Sequence, residues 1–135
     1  MRLWTLILFT GRVKINNMKT RTEKDLIWAA IDFDDTIAYN SGSPDYTPIA
    51  PKEEIKDALE EIISMGLKVC IETSRPWHDY EMIEEFMDKW HLPFHRIICG
   101  ALFAKVHIDD RAIGFRGDWH KTLQELKEYI KQRNQ

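Results

Sequence analysis

The stretch AAIDFDDTIAYN, residues 29–40, carries three carboxylates within four positions: Asp32, Asp34 and Asp35. It follows directly on the apolar run LIWAAI, residues 26–31. A short continuous apolar run bounded by turn signals reads as a buried strand, here DLIWAAID over 25–32. Buried strands do not ordinarily end in clustered negative charge, because desolvation and mutual repulsion both oppose it. Something at that strand end has to compensate.

The chain beyond this point alternates. TIAYNSGSPDYTPIAP (36–51) is rich in Gly, Pro, Ser and Asp and reads as a loop or short hairpin. PKEEIKDALEEIISMG (51–66) reads as a helix, with Pro51 in the first turn, acids near the start and Gly66 at the end. Ile55, Ala58, Leu59, Ile62 and Ile63 recur at helical spacing. LKVCIE (67–72) reads as a second strand, HDYEMIEEFMDKWH (78–91) as a second helix and FHRIIC (94–99) as a third strand. KVHID (105–109) reads as a fourth strand, and DWHKTLQELKEYIKQR (118–133) as a closing helix. Strand–helix repetition with short connections predicts an α/β fold, a three-layer α/β/α, Rossmann-like parallel sheet of about five strands. Ligands in such folds bind outside the carboxyl ends of the strands. Asp32 and Asp34 stand there after the first strand, Thr73, Ser74 and Arg75 after the second, and Asp109 and Asp110 after the fourth.

Composition sets the bounds. The 135 residues are 44% hydrophobic with a net charge of −3, which suits one compact domain. No Lys/Arg block stands out, so broad binding to nucleic acid or to anionic membrane has little support. Cys70 and Cys99 each lie in a strand-like run, which points to buried free thiols in a reducing, cytoplasmic setting. Residues 1–25 are expected to be an N-terminal extension and linker. LWTLILF (3–9) is too short to span a membrane, which takes ~20 residues, and lacks a signal-peptide cleavage site. Met18 is an alternative start, and an added edge strand or an oligomer contact is the competing reading of the extension. The domain proper is expected over 26–135.

The chemistry these residues suggest is phosphoryl transfer. Mg²⁺ takes oxygen ligands and binds through one or two carboxylates together with waters and phosphate. An aspartate can attack phosphorus to form an aspartyl-phosphate. A second carboxylate two positions on can protonate the leaving oxygen and then activate water. A hydroxyl and a backbone N–H at the next strand end can hold the phosphoryl oxygens.

DFDDT (32–36), TSR (73–75) and HIDDRA (107–112) resemble, in this order, the first, second and fourth motifs of the haloacid dehalogenase superfamily. The resemblance spans about residues 26–133. It implies a Mg²⁺-dependent phosphohydrolase with Asp32 as nucleophile and metal ligand. Asp34 becomes the acid/base, with its backbone carbonyl on the metal. Thr73, with Ser74 beside it, binds the phosphoryl group, and Asp109 and Asp110 hold Mg²⁺. Asp35 is read as a turn residue, and Thr36 as a turn residue bonding the backbone. The implied partner is a phosphorylated substrate, a small molecule or the exposed phosphate of a larger one, and a homo-oligomer is left open.

One position departs from the family. The third motif is a lysine just after the third strand, and CGALFAK (99–105) has Ala101 there. Lys105 is the nearest substitute and the remaining phosphate-binding candidate. In an extended 105–109 its Cα would lie ~13 Å from that of Asp109, so a solvated or structural lysine is the favoured reading. Arg75 and Arg111 are further candidates for the missing cation, each more often structural. Without that cation, activity is expected to be weak or absent.

Neither interval between the motifs leaves room for a cap domain, so an open site is expected, roofed by the 37–50 loop or by a neighbouring subunit. Trp77 and Trp119 could stack on a base or sugar, but packing at helix starts is the preferred reading. Tyr39 and Tyr46 in the roof loop are weaker candidates for substrate contact. Three alternatives were weighed. A response-regulator receiver fits poorly, because its phosphorylated Asp follows the third strand, where this chain has Cys99–Gly100. A non-catalytic binding or scaffold protein of the same fold is supported by Ala101. A nucleic-acid end-processing phosphatase fits an open site but not the lack of a basic patch.

Overall fold

The computed structural model describes residues 26–134. The extension expected over 1–25, with Met18 and LWTLILF, lies outside the described residues.

The described chain is a mixed α/β fold with a three-stranded parallel sheet and three helices. Strand β1 (Trp28–Ile31) is followed by a hairpin of β2 (Ala38–Asn40) and β3 (Pro48–Pro51). Helix α1 (Ile55–Ser64), strand β4 (Lys68–Glu72), a 3₁₀ turn (Trp77–Asp79), helix α2 (Tyr80–Lys89), strand β5 (Arg96–Ile98) and helix α3 (Trp119–Arg133) complete the order. The parallel sheet runs β1–β4–β5. Ile31 pairs with Ile71, and Ile71 with Ile97, so the three strands reach their carboxyl ends abreast.

The apolar spacing explains the packing. Ile55, Ala58, Leu59 and Ile62 form the buried stripe of α1, which packs on β4 and against α3. Gly66, at φ +90°, ends α1 in the left-handed conformation that glycine adopts without strain. Ile83, Phe86 and Met87 are the buried face of α2. Phe33 is fully buried and meets Phe86 edge-on, ring centroids 5.4 Å apart. Burying a side chain of that kind contributes about 2–3 kcal/mol, so the residue between Asp32 and Asp34 is a core anchor. Asp118 caps α3 by accepting from the Lys121 N–H at 3.2 Å.

Three expectations change. The first strand is expected to be buried; among the described residues it lies at the edge of the sheet, with Trp28 44% exposed and Ile31 alone of its four residues buried. Helix α1 begins at Ile55 rather than Pro51, because Pro51 still pairs with Ala38 and the Lys52 N–H donates to the Ile37 carbonyl at 2.8 Å. The fourth strand expected over 105–109 is not formed, and residues 99–118 run without helix or strand. After β5 the Gly100 N–H donates to the Arg75 carbonyl and the Ala101 N–H to the Thr73 carbonyl. Those bonds hold the chain to the β4 side, and among the described residues β1 pairs with β4 alone. Leu102, Phe103, Val106 and Ile108 are consequently exposed.

Candidate functional site

Asp32 follows the last residue of β1 and Thr73 the last residue of β4, so adjacent parallel strands deliver both to the carboxyl rim of the sheet. Phe33 pins the backbone between Asp32 and Asp34 from below. The turn that follows is tight. The N–H groups of Ile37 and Ala38 both donate to the Phe33 carbonyl, at 2.9 and 3.1 Å. Asp35 sits at φ 58° with its N–H on the Ala38 carbonyl at 2.7 Å. Asp is among the few residues that tolerate this conformation, and the geometry makes Asp35 a turn residue. The Trp119 Nε1–H donates to the Thr36 carbonyl at 2.9 Å and so ties the start of α3 to the same turn.

Asp32 is exposed, and the Thr36 hydroxyl donates to its Oδ2 at 3.4 Å. Desolvation by the surrounding protein pushes its carboxyl pKa up, and the charges of Asp34 and Asp35 push the same way. Bonds from the Phe33 N–H and from Thr36 oppose the shift without cancelling it. Desolvation is the largest of these effects, and the neighbouring carboxylates add to it.

Asp34 has its counter-charge. Arg75 Nε donates to its Oδ2 at 2.8 Å and Nη2 to its Oδ1 at 2.7 Å, a two-pronged pairing. Asn40 Nδ2 adds a third bond to Oδ1 at 3.2 Å. The same guanidinium reaches Asp79 Oδ2 through Nη1 at 3.3 Å and the Tyr46 carbonyl through Nη2. Arg75 is 7% exposed, and these hydrogen bonds, above all those it donates to Asp34, raise its pKa. Here Arg75 is the partner of Asp34 rather than a free cation for a phosphate. Its roles toward Asp79 and Tyr46 were not visible in the sequence. One signal was available, namely that an Arg three residues past a strand end stands near the acids at the end of the neighbouring strand.

Thr73 is 1% exposed, and its Oγ1 accepts the Arg75 N–H at 3.1 Å. Ser74 beside it is half-buried. Ala101 stands next to Thr73, its N–H on the Thr73 carbonyl at 3.0 Å. That is the neighbourhood in which a third-motif lysine would be useful. The rim therefore gathers Asp32, Asp34, Thr73, Ser74 and Ala101.

The second acidic pair does not join it. Asp109, Asp110 and Lys105 are exposed in the irregular segment, and Asp109 Oδ1 accepts from the Arg111 N–H at 2.8 Å. Among the described residues no group of three or more His, Cys, Asp and Glu is placed to hold a metal ion. Residues 105–109 form no strand, so the sheet does not carry Asp109 to a strand end.

Tyr46 and Trp77 border the site, 59% and 58% exposed. Trp77 stacks on Tyr80 with centroids 6.2 Å apart and planes 17° from parallel. Trp119 is buried against Phe115, with centroids 4.9 Å apart, and fulfils its packing role. Cys70 and Cys99 are both free and buried. No helix among the described residues is long and apolar enough to cross a membrane.

No protein-family model matches the chain, and no curated protein matches it. Among solved structures, a structural-genomics target from Vibrio cholerae is similar at 22% identity, over 75% of this chain and 99% of that one, with a TM-score of 0.55. At that identity the likeness concerns the fold, and it accords with a mixed α/β domain.

Proposed function

We propose that the chain is a phosphomonoesterase of the haloacid dehalogenase type, without a cap domain, acting through an aspartyl-phosphate. The observation that carries this reading is the rim of the parallel sheet. Adjacent strands end in Asp32–Asp34 and Thr73–Arg75, and the Asp34–Arg75 pair binds the two ends together. In the proposed reaction an Asp32 carboxylate oxygen attacks phosphorus, and the ester P–O bond breaks. The leaving oxygen takes its proton from Asp34, which must first exchange one of its bonds from Arg75 or Asn40 for that proton. Asp34 then accepts a proton from water, the water oxygen attacks phosphorus, and phosphate leaves as Asp32 is regenerated. Arg75 and Asn40 fix the direction of the Asp34 carboxyl, and Thr73 and Ser74 offer hydroxyl and amide groups to the phosphoryl oxygens.

Mg²⁺ is the cofactor this reading calls for. Its donors would be Asp32, the Asp34 carbonyl and, from the second acidic pair, Asp109 and Asp110. When bound it would neutralise charge between nucleophile and phosphate. The fit of the described residues is partial: the exposed Asp32 carboxylate beside Asp34 offers oxygen donors of the kind Mg²⁺ takes, while Asp109 and Asp110 stand apart from the rim. The finer architecture belongs to the same proposal, with 105–109 pairing on the open edge of β1 to extend a three-layer sheet. Its alternating Val106 and Ile108, 67% and 96% exposed, support that pairing. A cytoplasmic setting is also proposed, on the two free thiols.

The test is Mg²⁺-dependent hydrolysis of an aryl phosphate, with Asp32→Asn as control. Turnover lost on chelation and in the variant is the expected result. No turnover across a panel of phosphomonoesters would favour a non-catalytic binding protein of this fold, the second reading, which Ala101 supports.

A further inference from the structure

We propose that Trp77 and Tyr46 form a binding subsite for a planar aromatic group carried by the phosphate ester, a ring of the aryl or nucleobase kind. The inference rests on the phosphomonoesterase reading for the position of the phosphate, and on separate observations for the ring.

The first observation is an unfinished stack. Trp77 lies nearly parallel to Tyr80, at 17°, yet remains 58% exposed. Tyr80 covers one face of the indole and leaves surface for another ring. A cluster built only to shield the start of α2 would turn the indole inward, as Trp119 does at 4% exposure. The indole edge is seated against Gly100, where an added Cβ would come within 3.2 Å of Nε1. The ring is thus positioned by both neighbours while still facing solvent.

The second observation is strain. Tyr46 sits at φ 50°, a conformation that bulky residues rarely adopt. Backbone strain of this kind persists only where the surroundings hold it, and it concentrates at binding sites. The restraints are visible: the Tyr46 N–H donates to the Ser43 carbonyl at 2.9 Å, and buried Arg75 holds the Tyr46 carbonyl. The phenol ring is directed outward, and its hydroxyl makes no hydrogen bond among the described residues. Strain spent to present an exposed aromatic ring has no use in the packing of the loop.

The third observation ties the two segments to one residue. A single guanidinium contacts Asp34, the Tyr46 carbonyl and Asp79, and Asp79 lies two residues beyond Trp77 in the same 3₁₀ turn. The segments that carry the two aromatics are therefore both tied to the arginine that grips the carboxylate assigned to proton transfer, and the proposal sets their rings around the leaving group of a phosphomonoester. Aromatic faces bind planar rings by stacking and gain little from a flexible polyol.

The experiment uses the full chain carrying Asp32→Asn with Mg²⁺, titrated by calorimetry with phenyl phosphate, a nucleoside 5′-monophosphate and glycerol phosphate. The aromatic esters are expected to bind about tenfold tighter than glycerol phosphate, the size of one stacking contact. Adding Trp77→Ala is expected to remove that preference and leave glycerol phosphate unchanged; Tyr46→Ala weakens it, and Trp77→Phe restores most of it. Circular dichroism confirms that each variant is folded. The nucleotide and phenyl arms distinguish a base from a simple aryl group. Equal binding of all three esters, no binding of any, or a preference unaffected by both alanine variants would overturn the proposal. Turnover by the unsubstituted chain is measured separately. Turnover without aromatic preference removes the subsite and keeps the enzyme; aromatic preference without turnover does the reverse.

Discussion

Arg75 grips Asp34 by both carboxylate oxygens, at 2.8 and 2.7 Å, across the ends of two adjacent parallel strands. The arginine side chain is 6% exposed and the aspartate 27%. The pair is therefore mostly, not wholly, withdrawn from water. Breaking a fully buried pair from one side costs about 3–5 kcal/mol. Discounted for the wet side of Asp34, Arg75→Met is expected to cost about 2–3 kcal/mol, read as a lowered urea midpoint. Arg75→Lys recovers only part of this, because an ammonium cannot form the fork. A loss below ~0.5 kcal/mol in the methionine variant would contradict the geometry.

Asp32 gives a pH signature. Its native carboxyl binds its proton up to a higher pH than the unfolded one. The native state thus holds more protons in that window, and stability falls as pH rises from the ordinary carboxylate range, ~3.9, through the raised native value. Asp32→Asn has no such group to lose. In metal-free buffer the variant is expected to show the higher urea midpoint at pH 7, and the gap should close as pH falls below ~3.9. A wild-type chain more stable than the variant at pH 7, with that advantage lost as pH falls, would reverse the sign.

Ala101 is half-buried and bonded to Thr73 through its N–H. If the missing cation limits catalysis, Ala101→Lys should raise kcat/KM for an aryl phosphate by about 10²-fold, the scale of one charge-stabilising donor at a reacting centre. Steady-state kinetics of the two proteins decide it. An unchanged rate would mean that another cation already serves.

Gly100 offers a check on the rim itself. At φ +80°, with Trp77 Nε1 3.2 Å from a would-be Cβ, it resists any side chain for two reasons. Gly100→Ala is expected to cost about 1–2 kcal/mol in backbone strain alone. It should also shift the emission of Trp77, measured against a Trp77→Phe background. A variant with unaltered midpoint and emission would show that the turn relaxes freely.

How far the sequence spoke varies by element. The three helices were legible because their apolar residues repeat at helical spacing, as in Ile55, Ala58, Leu59 and Ile62. Strands β4 and β5 were legible as apolar runs between turn signals. The run LIWAAI gave the strand correctly but misled on burial. Continuous apolarity describes what a strand could bury, not whether a neighbour arrives to cover it, and Trp28 remains open. KVHID alternates like a strand too, yet it forms none, because a strand needs a distant edge to pair with and no local pattern supplies one. Of the site, Asp32, Asp34 and Thr73 were readable from position at strand ends. The grip of Arg75 on Asp34, 41 residues away in sequence, was not, because it depends on how β1 and β4 lie side by side. Asn40 and Asp79 were missed because polar residues in a loop and a helix start look like ordinary solvated groups until the fold turns them inward.

The bond from Trp119 Nε1 to the Thr36 carbonyl joins residues 83 apart in the chain. During synthesis the turn bearing Asp32 and Asp34 leaves the ribosome long before its fastening indole has been translated. The first strand and hairpin must therefore wait, partly assembled, for the last helix, since such distant contacts are made late and at an entropic cost. A chain truncated before residue 119 would carry the whole first motif and still lack the piece that locks it.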